Sequence, residues 1–165
     1  MQDTIKILFI CHGNICRSPM AEFFLKSLTA ARGLEDKFYI ASAATSTEEI
    51  GNPIHRGTMG IFKKYGIACT GHRAVRMTAA DYGKYDYIIG MDGQNIRNIL
   101  RIAGGDPEHK VFKLMDFVGG GAGAGACAGR DVADPWYTGD FEATYRDVKE
   151  GCEAFLEEMR RRGNV

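Results

Sequence analysis

The chain has 165 residues, 45% of them hydrophobic and 25% charged, and its 21 Lys and Arg balance its 21 Asp and Glu. Those proportions describe one globular domain with a sizeable core. A net charge of zero excludes the long-range basic field of a nucleic-acid binder but leaves room for a local anion site, and no apolar stretch is long enough to make a membrane an expected partner.

The first element is the apolar run Ile5–Ile10, bounded by polar residues, as in a strand buried on both faces. It carries Lys6 and lacks a small-residue cleavage site, so a strand is expected rather than a secretory leader. Pro19 suits the first turn of a helix, with Ser18 as its N-cap. Met20, Phe23, Phe24 and Leu28 then recur at helical spacing until Gly33. "KFYIASAATS" reads as a second strand leaving into a Ser/Thr loop, and "IHRGTMGIFKKYGI" as a helix terminated by Gly66. Thr78 is placed to cap a short helix, "AADYGK". "YDYIIGM" predicts a third strand, "DGQNIRNILRIAG" a helix capped by Asp92, and "KVFKLMDF" a fourth strand. Residues 141–162 predict a long amphipathic helix with Phe141, Tyr145, Val148, Cys152, Phe155 and Met159 on one stripe.

Strands alternating with helices predict an α/β fold: one domain over residues 1–165, with a four-stranded parallel sheet flanked by helices on both faces. Such sheets bind ligands beyond the carboxyl ends of their strands. The Gly/Ala-rich residues 119–129 interrupt the pattern and are expected to form a flexible surface insertion. The GxGxxG-like matches inside it precede no strand-to-helix turn and carry no cofactor reading.

The five cysteines, at 11, 16, 69, 127 and 152, are odd in number and form no paired CxxC knuckles. Reduced thiols and a cytoplasmic location are therefore expected. The histidines, at 12, 55, 72 and 109, are scattered, so neither a metal nor another cofactor is expected.

The chemistry is expected in "CHGNICRSP", residues 11–19, where the first strand meets its helix. Five residues between Cys11 and Arg17 make a loop that can wrap a tetrahedral anion, with backbone N–H groups inward and a helix N-terminus adding positive potential. Gly13 permits close approach and positive φ, and Asn14 tolerates the left-handed region. Arg17 offers a planar fork matched to two phosphate oxygens. The same field stabilises a thiolate at Cys11, a nucleophile aimed at phosphorus. Expelling an oxyanion needs a proton donor. Asp134 in "ADPWY" is the candidate, held extended by Pro135, with Trp136 and Tyr137 as walls for a flat leaving group.

With these two sites the chain resembles the low-molecular-weight protein tyrosine phosphatases over nearly its whole length, in "CHGNICRSPMAE", "SAATSTEEIGNP", "GHRA", "YDYIIGMD" and "DPWYTGDFEATYRDV". The resemblance implies hydrolysis of phosphotyrosine or another aryl phosphate monoester through a phosphocysteine on Cys11. Arg17 would bind the phosphoryl group, and Asp134 would protonate the leaving group and then activate water. His12, Gly13, Asn14, Ile15, Cys16 and Ser18 would form the phosphate loop, which a phosphate or sulfate ion could also occupy. Within that loop, Ser18 would stabilise the thiolate and Ile15 would wall the pocket. Asn14, Ser42 and His72 would form a supporting polar network, and Cys16 would trap oxidised Cys11 as a reversible disulfide. A monomer or weak dimer is implied.

Two rim positions depart from the family pattern: His12 stands where an apolar residue is usual, and Glu48 where an aromatic is usual on the facing wall. They are expected to pair across the cleft mouth and favour a basic residue beside the phosphotyrosine. "HRAVR" replaces the usual "HRARQ", leaving no arginine at Val75. Related arsenate reductases need two further cysteines near the third strand, which "DYGKYDYIIGMD" lacks. Protein-arginine phosphatases tend to carry threonine where this chain has Ile15. A redox-sensing phosphopeptide-binding protein is the alternative from a different class.

Overall fold

The computed structural model describes residues 4–119 and 128–165. Most of the Gly/Ala-rich insertion, with Cys127, lies outside the described residues. Strands β1 (Ile5–Cys11), β2 (Phe38–Ala44), β3 (Tyr87–Gly90) and β4 (Val111–Lys113) form one parallel sheet in the order β2-β1-β3-β4. Among the described residues six α-helices accompany them: α1 (Arg17–Ala31), α2 (Arg56–Tyr65), α3 (Asp81–Lys84), α4 (Gly93–Ala103), α5 (Pro135–Thr138) and α6 (Phe141–Arg161).

The unbroken hydrophobicity of β1 from Ile7 onward follows from its central place. Ile7 and Phe9 pack into one core with α1 and α6, while Leu8 and Ile10 pack into a second with Tyr82, Ile96 and Ile99. The stripe of α6 joins the first core, with Val148, Cys152, Phe155 and Met159 at 0% exposure. Each large apolar side chain buried this fully contributes about 1.5–3 kcal/mol relative to an exposed one. Gly57 matters here for space: a Cβ would lie 2.3 Å from Cζ of the Phe141 ring that closes α2 onto α6.

Gly66 ends α2 in the left-handed conformation, at φ 67°. Asp92 starts α4 through a capping box with Asn95. Four local expectations need correction. The predicted fourth strand pairs only over Val111–Lys113, and Leu114–Phe117 turns into a 3-10 helix packed on α6. Thr78 does not cap α3; its N–H instead donates to the Asp81 carboxylate, 2.8 Å away. Ser18 is not the N-cap of α1: the helix begins at Arg17 with Cys16 as N-cap, and the Ser18 hydroxyl turns inward. The left-handed residue of the loop is Asn14, at φ 60°, and not Gly13. Gly13 lies close to the facing loop, where a Cβ would stand 3.2 Å from Glu49 Cγ and press that side chain aside.

The chain leaves β1 toward β2 on one side of the sheet and returns to β3 on the other. That reversal opens a crevice beyond the carboxyl ends of β1 and β3. Cys11 ends β1, and Asp92 follows β3 by two residues.

Candidate active site

Residues 11–17 are fixed by their carbonyls. Thr45 N–H donates to Cys11 O, Ser46 N–H to His12 O, His55 N–H to Ile15 O and Met20 N–H to Cys16 O, at 2.9–3.1 Å. His72 Nε2 lies 2.9 Å from Asn14 O. All peptide bonds here are trans, so each carbonyl and the N–H that follows it point opposite ways. With the carbonyls of residues 11, 12, 14, 15 and 16 engaged by the surrounding framework, the N–H groups that follow them, of residues 12, 13, 15, 16 and 17, point away from that framework. The result is an anion cup at the N-terminus of α1.

Cys11 Sγ lies at its base, 3.0 Å from Ser18 Oγ, and accepts the Asn14 N–H at 3.3 Å. Asn14, at 0% exposure, is held from three sides. Its Nδ2 donates to Ser18 Oγ and Ser42 Oγ, both at 2.9 Å, and its Oδ1 accepts the Val75 N–H at 3.1 Å. Position 75 therefore acts through its backbone, and the Val75 side chain points out. Ser42 in turn donates to the buried Glu22, at 2.5 Å, and Glu22 Oε1 lies 4.0 Å from His72 Nδ1.

Arg17 is almost wholly buried, with its Nη2 2.8 Å from Asp92 Oδ2 and 3.3 Å from Asp134 Oδ2. Its Nη1 donates to Val132 O at 3.2 Å. Burial works against the guanidinium charge, but the Cys11 sulfur, Asp134 and Asp92 together outweigh it and hold its pKa above the ordinary value. Asp134 is extended, as a residue before proline prefers. Its Oδ1 accepts the Trp136 N–H at 3.0 Å, which leaves Oδ2 facing the cleft.

These groups line a cleft of about 580 Å³, bordered by Ile15, Glu48, Trp136 and Tyr137. Trp136 is 67% exposed and Tyr137 85%, so both are largely open to solvent at the mouth, with Trp136 edge-to-face against the His55 ring. His12 Nε2 sits 3.0 Å from Glu48 Oε2 at the rim.

The family model for low molecular weight phosphotyrosine protein phosphatase matches residues 6–165. The chain belongs to this family. A low molecular weight protein-tyrosine-phosphatase of Bacillus subtilis, YfkJ, is 41% identical over 152 residues, covering 92% of this chain and 94% of that one. The crystal structure of YfkJ superposes with a TM-score of 0.88 at 39% identity, covering 97% of each chain. The low molecular weight protein tyrosine phosphatase SP-PTP of Streptococcus pyogenes gives a TM-score of 0.81 at 39% identity, over 94% of this chain and 93% of that one. A structure described as the drosophila arginine phosphatase DARP also gives 0.81, at 30% identity, covering 94% and 98%. As a member of the low-molecular-weight phosphatases, the protein is a cysteine-dependent protein tyrosine phosphatase.

Asp92 and Glu22 are among the site residues that escaped sequence reasoning. Asp92 was legible only as a helix cap, although its position after β3, beside β1, was the signal that it faces the loop. Glu22 sits within α1 and no sequence signal marked it as buried. Cys16 also lines the cleft, but burial, with the nearby Cys11 adding to it, pushes its thiol up to about 12, so it stays protonated at neutral pH. Burial likewise pushes up the thiols of Cys69 and Cys152, and neither lines the cleft. Iodoacetate at neutral pH is therefore expected to modify Cys11 before Cys16, Cys69 or Cys152, as read by peptide mass mapping; initial alkylation of Cys16 would contradict this arrangement.

Proposed function

We propose that the protein hydrolyses phosphotyrosine monoesters in proteins in two steps run by Cys11, Arg17, Asp134 and Ser18. The observation that carries this reading is one sulfur at the base of an amide cup, with one guanidinium and one carboxyl oxygen on its open side. In the first step Cys11 Sγ attacks phosphorus and the bond to the phenolic oxygen breaks. Arg17 exchanges its contact with Asp134 for the phosphoryl oxygens and stabilises the transferring group. Asp134 gives the proton on Oδ2 to the leaving oxygen. In the second step Asp134 takes a proton from water, the water oxygen attacks phosphorus, and the S–P bond breaks. The departing thiolate receives the Ser18 hydroxyl as a hydrogen-bond donor, and phosphate leaves.

Substrate class follows from depth. Cys11 is only 4% exposed, beneath Ile15 and the aromatic pair. A phenyl ring spans that distance and packs on Trp136 and Tyr137, whereas a phosphoserine side chain is too short. At the rim, the Glu48 carboxylate beside His12 supports binding of a basic residue next to the phosphotyrosine. A nucleophilic thiol must remain reduced, which supports a cytoplasmic location for the reaction.

The test is kcat/KM on one peptide carrying phosphotyrosine, phosphoserine or phosphoarginine. Phosphotyrosine should lead by about 10²-fold. A lead for phosphoarginine, the reading favoured by the likeness to DARP, would overturn the assignment of substrate.

A further inference from the structure

The general acid sits at the end of a segment in which each residue is tied separately. Gly129 N–H donates to Asp116 Oδ1 at 2.6 Å, and Lys113 Nζ donates to Gly129 O at 3.0 Å. Asp131 Oδ1 accepts the Gly93 N–H at 3.2 Å and pairs with Lys113 Nζ at 2.9 Å. Val132 N–H donates to Met91 O at 2.8 Å, and Val132 O accepts Arg17 Nη1. Ala133, directly before Asp134, has both of its backbone groups held by side chains of α6. Its N–H donates to Asp147 Oδ2 at 2.9 Å, and its carbonyl accepts the Thr144 hydroxyl at 2.8 Å.

Asp147 and Thr144 stand three residues apart, on one face of the helix. Thr144 is at 0% exposure and the Asp147 side chain at 15%. The second oxygen of Asp147 is occupied too: Arg130 Nη2 donates to Oδ1 at 2.8 Å. Neither side chain lines the cleft, so neither can touch substrate. What they fix is the peptide plane from which Asp134 projects.

We propose that Asp147 and Thr144 are positioning residues for proton transfer: by clamping both polar groups of Ala133, they set the distance of Asp134 Oδ2 from the leaving-group oxygen. The inference rests on the assignment of Asp134 as general acid. Its chemical consequence is specific. In the first step a displaced acid slows only the substrates that need protonation, and misplacement of about 1 Å can cost up to about 10² in rate. A merely structural loss would slow all substrates alike.

The experiment measures kcat/KM, which reports the steps up to release of the phenol, for aryl phosphates from dinitrophenyl phosphate to phenyl phosphate, with wild type, Asp134→Ala, Asp147→Ala and Thr144→Val. Asp134→Ala should lose about 10² on phenyl phosphate and little on dinitrophenyl phosphate. Asp147→Ala and Thr144→Val should tilt the profile in the same sense, losing about 10-fold on phenyl phosphate. The dinitrophenyl phosphate rate reports that the cup has folded in each variant. Equal losses across the series in Asp147→Ala and Thr144→Val, with Asp134→Ala still tilted, overturn the positioning role alone. A flat profile in Asp134→Ala removes the acid assignment, and the positioning role with it.

Discussion

Cys11→Ser is expected to abolish turnover of every phosphate monoester, a loss on the order of 10⁴-fold or more, while inorganic phosphate still binds. The two halves of this result have different physical origins. Turnover needs sulfur, because a serine hydroxyl in the same place does not ionise under the influence of one N–H and one neighbouring hydroxyl. Binding needs the amide cup, and the cup is held by carbonyl contacts to Thr45, Ser46, His55, His72 and Met20. None of those contacts involves the Cys11 side chain. Calorimetry with phosphate and a kinetic assay on one preparation would separate the two. Retained turnover, or lost phosphate binding with the fold intact, would count against the arrangement.

Arg17→Lys should lower kcat/KM by about 10³-fold, although charge is conserved. The guanidinium reaches Val132 O, Asp92 Oδ2 and Asp134 Oδ2 at once through its planar fork. A lysine ammonium sits at one point on a flexible stem and cannot replace three directed contacts. It would also leave Asp92 and Asp134 facing the cup with less compensation, which repels a phosphate dianion. Phosphate affinity should therefore fall together with rate, in contrast to Cys11→Ser. A change of less than about 10-fold in kcat/KM would contradict the role given to the fork.

The sequence carried the fold where one residue type has one physical reason to be present. Ile5–Ile10 could only be a central strand, and Gly66 and Asp92 marked helix ends through local backbone chemistry. It failed where a residue had two possible jobs. Ser18 and Thr78 both read as helix caps because Ser and Thr serve well there. Ser18 is drawn instead to Cys11 and Asn14, partners that only folding brings near. The end of the fourth strand misled because "LMDF" is as apolar as a strand, while in three dimensions it turns to pack on α6.

The site was legible for a related reason. Loop, helix N-terminus and arginine are contiguous in sequence, so residues 11–18 announced an anion cup from spacing alone. The parts contributed by distant elements were not readable in the same way. Asp92 reaches Arg17 across the switch point, Glu22 reaches Ser42 from within α1, and Asp147 reaches Ala133 from α6. Each is an acidic residue whose sequence neighbourhood suggests only a cap or a solvated face.

The most direct measurement is rapid-quench mass spectrometry of Asp134→Ala mixed with dinitrophenyl phosphate, in which attack proceeds without an acid while release to water lacks its base. The peptide containing Cys11 should then carry one phosphoryl group, formed as fast as the first equivalent of dinitrophenol appears. Dinitrophenol release with that peptide unmodified, or with phosphate on another residue, would contradict the account at its foundation.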